Sequence, residues 1–376
     1  MTAIDPAAWH TAYSPNYETA RARFQSLAAE HGATLDAWPI PGTTPSGEPL
    51  TIDVARFGPE RPRKWLLITS ALHGVEGFFG SAVQLAWMSR FAQKFAKGSR
   101  SDLGVALLHA LNPYGFAWIR RFDADNVDLN RNFLLPGEEF RGAPPLYPVL
   151  YNMFRMTKPP RRFRPIEAAR ISYVVARYGL RALRLTIPIG QYDFPKGPFF
   201  GGHGPAPTQV ALAQQLPPLL GEAAEVIHLD LHTGLGPFGS AKLLADEAED
   251  DPEYGWWCDQ FGARDVEACQ RAETAYPTRG GFGPWLKVQF PGTRFHYATL
   301  EIGTYPPRQM VRTIVAETRA FNCGLQRDPA YDWTRQRLLE VFAPASLAWR
   351  HQVIERSLTH LERAEQVLSA PPGSRG

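Results

Sequence analysis

Short apolar runs of strand length recur along the chain between residues 50 and 302. Residues 50–57 alternate apolar and polar positions, which is the pattern of a strand with one buried face. Residues 65–70 and 105–111 are fuller apolar runs, typical of strands that are covered on both faces. The pattern predicts six strands, at residues 50–57, 65–70, 105–111, 226–231, 242–245 and 297–302.

Other stretches place apolar side chains at helical spacing and predict helices at residues 17–31, 78–96 and 308–322. The second of these helices lies between the strands at 65–70 and 105–111. A strand–helix–strand unit of this kind is typical of parallel sheets. We therefore predict a three-layer α/β/α fold with a twisted sheet that is mixed and mostly parallel.

Residues 136–204 depart from this alternation. They are rich in proline, and the part from 151 to 184 carries nine basic side chains against one acidic side chain. We interpret the region as a basic helical insertion beside the main domain. Its basic helix face is either a solvated surface or a positive rim that attracts an anionic group. The arginines that share this face are Arg170, Arg177, Arg181 and Arg184.

The last part of the sequence, residues 326–376, predicts a C-terminal helical extension in which Pro344 separates two helices. We predict that this extension is not an independent domain. We predict that the remaining residues, 1–325, form one α/β domain. This domain contains the insertion and the candidate catalytic residues.

Composition limits the class of protein. Of 376 residues, 44% are hydrophobic, and the net charge is only +3, so the charge implies no nucleic-acid partner. The three cysteines form neither a disulfide framework nor a Cys-x-x-Cys metal site. The sequence shows no secretory signal and no apolar run of about 20 residues. We expect a cytoplasmic protein without membrane contact, and its oligomeric state is unknown.

A candidate metal-binding turn follows the strand at 65–70. It contains His73 and Glu76, whose imidazole and carboxylate both suit a zinc ion. Gly74 and Gly77 permit the sharp turn that two ligands three residues apart require. The site would lie at the carboxyl end of a strand, where ligands bind in open α/β sheets.

The strand at 226–231 leads to a second candidate ligand. Side chains alternate along a strand, so His228, Asp230 and His232 share one face, and His232 would emerge at the sheet edge. A second histidine completes two histidines and one carboxylate, the arrangement of a catalytic zinc that keeps one position for water. A histidine alone would more simply be a hydrogen-bonded core residue, and we keep that interpretation for His228 and His109.

Residues 126–133 are dense in side chains that fix other groups. Arg131 has a planar fork that holds a carboxylate in two hydrogen bonds, and Asn130 can bind the same group. A metal-bound histidine normally donates its other ring N–H to a carboxylate, and Asp128 is our candidate for orienting His73. The alternative is an Asx-rich turn with a purely structural role.

Glu301 is an acid inside the apolar strand at 297–302. Burial of a carboxylate is costly unless the group is paired or functional. Partial burial would raise its pKa toward the range of a general base that takes a proton from zinc-bound water. The alternative is a structural carboxylate paired with an arginine.

Taken in order, these pieces resemble a known family. The His-x-x-Glu turn, Asn-Pro-x-Gly-Phe at 112–116, Asp-x-Asn-Arg-Asn at 128–132, a strand-end His and a strand-end Glu resemble the zinc carboxypeptidases of the carboxypeptidase A type. Aspartoacylase and succinylglutamate desuccinylase are similar at a greater distance. The nearest resemblance is to an uncharacterised bacterial branch of this clan and covers most of residues 50–325.

The resemblance implies a carboxypeptidase-like fold and assigns roles to six of these side chains. It implies zinc bound by His73, Glu76 and His232, Glu301 as the general base, and a substrate carboxylate held by Asn130 and Arg131.

The family also has an arginine that stabilises the transition state and a tyrosine that caps the substrate. Arg120 and Arg121 both match the position of the arginine, and we favour Arg121. The tyrosine has three candidates, Tyr276, Tyr297 and Tyr305.

We therefore predict a zinc-dependent amide hydrolase with one Zn²⁺ per chain. It is expected to act as a metallocarboxypeptidase-like peptidase on a small molecule or peptide that carries a carboxylate. A deacylase of small N-acyl amino acids would use the same site. In a second alternative, a non-catalytic protein with a vestigial pocket binds nucleic acid or an acidic partner through the basic insertion, with a steep salt dependence. A serine esterase is disfavoured because the chain has no Gly-x-Ser-x-Gly motif.

Overall fold

A computed structural model describes residues 4–95, 102–162, 173, 176–179, 186, 189–269 and 279–370. Its centre is a single sheet of eight strands in the order β1-β2-β4-β3-β5-β8-β6-β7. The strands are β1 (Thr34–Thr43), β2 (Pro49–Phe57), β3 (Lys64–Ser70), β4 (Leu103–His109), β5 (Glu225–Gly234), β6 (Ala241–Ala245), β7 (Val266–Ala268) and β8 (Arg294–Gly303).

Helices cover both faces of this sheet. The α-helices of the described residues are Tyr17–Glu30, Gly77–Phe91, Pro113–Ala117, Tyr147–Phe154, Pro207–Leu220, Pro252–Phe261, Phe282–Gln289, Pro307–Asn322, Asp332–Phe342 and Leu347–Ser369. Short 3-10 helices occur at Pro6–Ala12, Gly74–Glu76, Ala92–Phe95, Leu129–Arg131 and Pro329–Tyr331.

The central strands β4, β3, β5 and β8 run parallel to one another. β1 is antiparallel to β2, β2 to β4, and β6 to β8. β7 is parallel to β6 at the far edge. The sheet is thus mixed and mostly parallel, and with helices on both faces the prediction of a three-layer α/β/α fold is confirmed.

Each face of the sheet has its own apolar core, because side chains alternate along the strands. One face packs against the helices Gly77–Phe91 and Leu347–Ser369, with Leu229 and Leu300 pointing toward them. The other face packs against the helices Pro207–Leu220 and Phe282–Gln289. His228, Asp230 and the ligand candidate on β5 belong to this second face.

The segment after residue 331 is packed into the body of the protein. Trp349 is fully buried in the first core, and its Nε1 donates a hydrogen bond to the carbonyl of Gly303 at 3.1 Å. Phe342 ends the preceding helix, and its carbonyl accepts a hydrogen bond from Thr233 Oγ1 at 2.6 Å. The C-terminal helices therefore contact the ends of both β5 and β8.

Strand β1 was not predicted from the sequence. It contains Pro39 and Pro41, which cannot donate ladder hydrogen bonds. Proline is tolerated in a strand at the edge of a sheet, and β1 is an edge strand that pairs only with β2.

Within the described part of the chain, every helix is too short or too polar to cross a lipid bilayer. Of the predicted basic helix face, Arg170, Arg181 and Arg184 lie outside the described residues. Residues 371–376 also lie outside them.

Candidate metal centre

Three neighbouring strands bring the predicted ligands together. β3, β5 and β8 are adjacent and parallel, so their carboxyl ends lie at one edge of the sheet. His73 lies in the turn after β3, and His232 is near the end of β5. Glu301 on β8 is the direct register partner of His232. Sequence positions more than 200 residues apart thus meet at one edge.

The turn that carries His73 and Glu76 depends on close backbone packing. A Cβ atom on Gly74 would lie 2.1 Å from the carbonyl carbon of Gly115, so only glycine fits there. Ala71, just before the turn, has a positive φ of 58°, which is strained for a residue with a Cβ atom. The backbone N–H of Val75 donates to the carbonyl of Arg120 at 2.7 Å. The turn is therefore fixed against the Pro113–Ala117 helix and the loop that follows it.

The atoms that could bind a metal face one another. His73 Nδ1 lies 2.9 Å from Glu76 Oε1, and His232 Nδ1 lies 3.1 Å from Glu76 Oε2. The three residues are buried and offer ligand atoms within 4.8 Å of one another. Two ligand atoms on a tetrahedral zinc are about 3.3 Å apart. The two distances from the histidine nitrogens to the Glu76 oxygens are close to this value, so this donor set suits such an ion.

The second ring nitrogen of each histidine points at a buried carboxylate. His73 Nε2 lies 3.1 Å from Asp128 Oδ1, and His232 Nε2 lies 2.7 Å from Asp230 Oδ2. Asp230 can accept the Nε2 proton of His232 and leave Nδ1 free to bind a metal, which is the usual arrangement around metal-bound histidine. His73 Nε2 faces Asp128 and also Arg121 Nη2, a donor, at 2.7 Å. The sequence predicts the contact with Asp128 but gives no role to Asp230.

The charges of this cluster support one another. Burial alone would raise the pKa of Glu76, but the imidazoles of His73 and His232 hold that pKa well below its usual range. Burial would lower the pKa of His232, yet Asp230, followed by Glu76, raises it well above its usual value. Burial likewise opposes ionisation of Asp128, and Arg121 and His73 overcome it and lower the pKa. The carboxylates are thus ionised at neutral pH.

Glu301 differs from the other acids of the site. Burial, and then the nearby Glu76 carboxylate, raise the pKa of Glu301 to about 7. Its Oε1 accepts a hydrogen bond from the backbone N–H of Leu235 at 2.7 Å, and within the described residues no arginine side chain hydrogen-bonds it. The arginine-paired alternative does not describe this carboxylate. A carboxyl group with a pKa near neutrality can both accept and return a proton.

The two candidate arginines, Arg120 and Arg121, lie in different surroundings, and only Arg121 is beside the metal cluster. Arg121 lies in the cluster, with Nη1 3.2 Å from Glu76 Oε1 and Nη2 2.7 Å from His73 Nε2. Arg120 is buried elsewhere and donates from Nε to Glu317 at 2.6 Å, while its Nη2 donates to Asn126 at 3.0 Å. Its guanidinium also stacks on Phe321. The interpretation of Arg120 as a transition-state arginine is therefore wrong for this structure, because its donors are used in a structural network.

Asn130 and Arg131 follow Asp128 in a short 3-10 turn at the same edge of the sheet. Asn130 Oδ1 accepts a hydrogen bond from the backbone N–H of Phe282 at 3.3 Å. Arg131 is 4% exposed, and its carbonyl is in contact with Gly280. The turn is thus held by the loop that precedes the helix Phe282–Gln289.

The candidate capping tyrosines are not equivalent. Tyr297 is buried, with its hydroxyl 3.3 Å from Asp230 Oδ2, and the hydroxyl of Tyr305 donates to Glu340 at 2.6 Å. Both side chains already have partners, and Tyr276 lies outside the described residues. His228 and His109 behave as the core histidines we predicted, with Nε2 at 2.7 Å from Thr69 Oγ1 and 3.0 Å from Ser81 Oγ, respectively.

Solved structures with this fold are known. The chain is similar to bovine thrombin-activatable fibrinolysis inhibitor in complex with tick carboxypeptidase inhibitor, with a TM-score of 0.52 and 11% identity over 95% of this chain and 97% of the other. A second structure of thrombin activatable fibrinolysis inhibitor gives a TM-score of 0.50 and 10% identity over 96% and 75% of the two chains. These likenesses show that the fold is carboxypeptidase-like.

A weaker likeness, to carboxypeptidase A from Helicoverpa armigera, has a TM-score of 0.46 and 14% identity over 86% of this chain and 73% of the other. No curated protein matches the chain. The model of one family, described as "Protein of unknown function (DUF2817)", matches residues 13–356, which is most of the chain. The protein therefore belongs to the DUF2817 family.

Proposed function

We propose that this protein is a zinc-dependent amide hydrolase that cleaves next to a free carboxylate, as a metallocarboxypeptidase does. The observation that carries the proposal is the convergence of His73, Glu76 and His232, with Glu301 on the strand beside them. Both histidines have a carboxylate behind them, which favours a metal centre over a chance cluster. The carboxypeptidase-like fold supports the same conclusion.

The three ligands would hold one Zn²⁺ through two Nδ1 atoms and a carboxylate. Bound zinc supplies Lewis-acid chemistry, lowering the pKa of water toward about 7 and polarising a carbonyl. With the metal bound, Asp230 would accept a hydrogen bond from His232 Nε2 and Asp128 from His73 Nε2, which would fix the orientations of both rings.

Glu301 is the proposed general base. It accepts the proton of the attacking water and returns it to the leaving amine, which a carboxyl pKa of about 7 permits at neutral pH. The Leu235 N–H holds one carboxylate oxygen in place during this transfer. Arg121 is beside Glu76 and would stabilise the negative charge that develops on the carbonyl oxygen.

Asn130 and Arg131 are the proposed site for the free carboxylate of the substrate. An arginine fork binds a carboxylate through two parallel hydrogen bonds, which fixes the distance between that carboxylate and the amide to be cleaved. A peptide with a free C-terminus and an N-acyl amino acid present the same two groups to these residues. A peptidase and a deacylase would therefore use the same groups and the same reaction. They would differ only in the length of the acyl group on the other side of the cleaved amide.

The decisive experiment replaces Glu301 with glutamine. Glu301→Gln keeps the shape and the metal ligands, so we expect wild-type zinc content with turnover reduced about 10²- to 10⁴-fold, the contribution of general acid–base help. Glu222→Gln, an exposed glutamate at the start of the β5 region, is the matched control and should keep full activity. Full turnover in Glu301→Gln would show that another group is the base.

A substrate panel tests the reaction class. It compares peptides with free and amidated C-termini and short N-acyl amino acids, each with and without a chelator. We expect chelator-sensitive hydrolysis that requires the free carboxylate. Absence of hydrolysis across the panel, together with no bound zinc in the purified protein, would refute the proposal.

A further inference from the structure

A chain of buried polar side chains leads from the proposed ligand His232 into the core. His232 Nε2 faces Asp230 Oδ2 at 2.7 Å, and Asp230 Oδ1 accepts a hydrogen bond from Thr69 Oγ1 at 2.6 Å. The same Thr69 oxygen lies 2.7 Å from His228 Nε2. Thr69 on β3 is the register partner of Asp230 on β5, so the sheet itself places the hydroxyl beside the carboxylate. All four residues are at most 2% exposed, so bulk water does not compete for these hydrogen bonds.

The inner end of this chain is His228, which has one ring nitrogen without a partner. Its ring is enclosed by those of Phe282, Phe295 and Tyr297, whose centroids lie 5.4, 6.2 and 5.0 Å from its own. Nδ1 of His228 is buried, and among the described residues nothing hydrogen-bonds it. Burial lowers the pKa of His228 to about 4, so the ring is neutral at neutral pH and carries one N–H.

The unpartnered Nδ1 decides which nitrogen of His228 carries that proton. An N–H at Nδ1 would be buried without an acceptor, whereas an N–H at Nε2 donates to Thr69 Oγ1. Thr69 has a single hydroxyl proton, which then goes to Asp230 Oδ1. The 2.6 Å between these two oxygens is the length of a hydrogen bond from a hydroxyl to a carboxylate. Donation therefore runs in one direction, from His228 through Thr69 to Asp230.

This direction matters for the orientation of His232. Because Asp230 Oδ1 is occupied by the Thr69 proton, Oδ2 is the oxygen that faces His232 Nε2. Hydrogen bonds in a chain polarise one another, so the bonds from His228 and Thr69 strengthen the fixing of this carboxylate. The imidazole of His232 is thereby held with Nδ1 directed at Glu76 Oε2, 3.1 Å away.

We infer that Thr69 and His228 are positioning residues of the metal centre, which hold Asp230 in the orientation that keeps His232 Nδ1 available to the metal. This inference rests on the proposed function, because it takes His232 as a zinc ligand. Thr69 acts on Asp230 directly, and His228 acts through the Thr69 hydroxyl. His228 is thus a core histidine that supports the site without touching it.

The first test removes the Thr69 hydroxyl. Thr69→Val keeps the branched shape and loses the donor, and the zinc affinity of the full-length protein is measured by competition with a chromophoric chelator. We expect a loss of about tenfold, the lower end of what the loss of an outer partner of a metal ligand costs. Thr69→Ser keeps the hydroxyl and should bind zinc as tightly as the wild type. Ser81→Ala is the matched control, because the Ser81 hydroxyl lies 3.0 Å from Nε2 of another core histidine, His109, and zinc affinity should not change.

The second test reads the proton of His228 in the wild type and needs no folded Thr69 variant. Heteronuclear NMR of protein that is isotope-labelled at its histidine nitrogens distinguishes a protonated ring nitrogen from an unprotonated one. The His228 signals are assigned by their loss in His228→Phe. We expect the proton at Nε2. His228→Phe should lose less zinc affinity than Thr69→Val, because Thr69 still donates to Asp230.

The outcomes separate this inference from the proposed reaction. The expected loss of zinc affinity in Thr69→Val without hydrolysis of any substrate by the wild type would support the positioning role while refuting the reaction. Wild-type zinc affinity in a folded Thr69→Val variant, an equal loss in Thr69→Ser, or a His228 proton at Nδ1 would overturn the inference and leave the reaction standing. A wild type that binds no zinc would overturn both.

Discussion

Replacing Asp230 tests the metal centre where sequence reasoning had missed a residue. Its Oδ2 accepts from His232 Nε2 at 2.7 Å, the length of a charge-assisted hydrogen bond. Its Oδ1 accepts from Thr69 Oγ1 at 2.6 Å, so both carboxylate oxygens are fixed. Asp230→Asn keeps the size and one acceptor but loses the charge, and Asp230→Ala loses every contact with His232.

The magnitude follows from what each variant removes. Loss of a carboxylate behind a metal-bound histidine lowers metal affinity about 10- to 100-fold. We expect Asp230→Asn to be near the lower end, about tenfold or about 1.4 kcal/mol, because its amide oxygen can still accept the His232 proton. Asp230→Ala leaves that N–H without an acceptor and should lose about 100-fold, or about 2.7 kcal/mol.

The assay is competition for Zn²⁺ with a chromophoric chelator at fixed pH, supported by the unfolding midpoint of each metal-free variant. Asp53→Asn is the control, since Asp53 is a buried carboxylate that pairs with Arg21 far from the cluster, and it should change stability without changing zinc affinity. If folded Asp230→Ala bound zinc as tightly as the wild type, our account of how His232 is oriented would be wrong.

Three further predictions concern stability. Arg120→Met leaves the buried Glu317 carboxylate without its ion-pair partner and should lower the free energy of unfolding by about 3 kcal/mol or more in urea titrations. Gly74→Ala would place a Cβ atom 2.1 Å from the Gly115 backbone. We expect the free energy of unfolding to fall by about 1–3 kcal/mol in thermal unfolding, and zinc affinity to fall in chelator competition. Burial lowers the pKa of His109 to about 4 in the folded protein, whereas in the unfolded chain it is about 6.5. Between these two pH values the unfolded chain binds a proton at His109 that the folded protein does not, which favours unfolding. The free energy of unfolding of the wild type should therefore fall by about 2 kcal/mol through this site between pH 7 and pH 5. His109→Gln should remove this fall. His351→Gln, at a half-buried control site, should leave it unchanged.

Much of the fold could be predicted because its central strands are plain apolar runs. The strands predicted at 65–70 and 226–231 correspond to Lys64–Ser70 and Glu225–Gly234. The helices Pro207–Leu220 and Pro252–Phe261 were missed. The first contains Pro217 and Pro218 near its end, which weaken the helical pattern in the sequence.

The candidate site was accessible to prediction only in part. Strand-end ligands can be inferred, since the carboxyl ends of parallel strands share one edge. The choice between Arg120 and Arg121 could not be made, because adjacent loop residues point in directions that the backbone alone decides. Asp230 could have been found from its i, i+2 relation to His232, but which ring nitrogen faces it depends on the rotamer of the imidazole.

The position of the C-terminal helices has a consequence for the newly made chain. The carbonyl of Phe342 accepts a hydrogen bond from Thr233, beside the candidate ligand His232, and the Phe342 ring lies 5.9 Å from the Arg121 guanidinium. Chains are synthesised from the N-terminus, so the ribosome releases all the proposed catalytic groups before this wall of the site. We expect a growing polypeptide, or a fragment that ends at residue 325, to show no hydrolase activity, because residues 332–369 are not there to close this side of the proposed site.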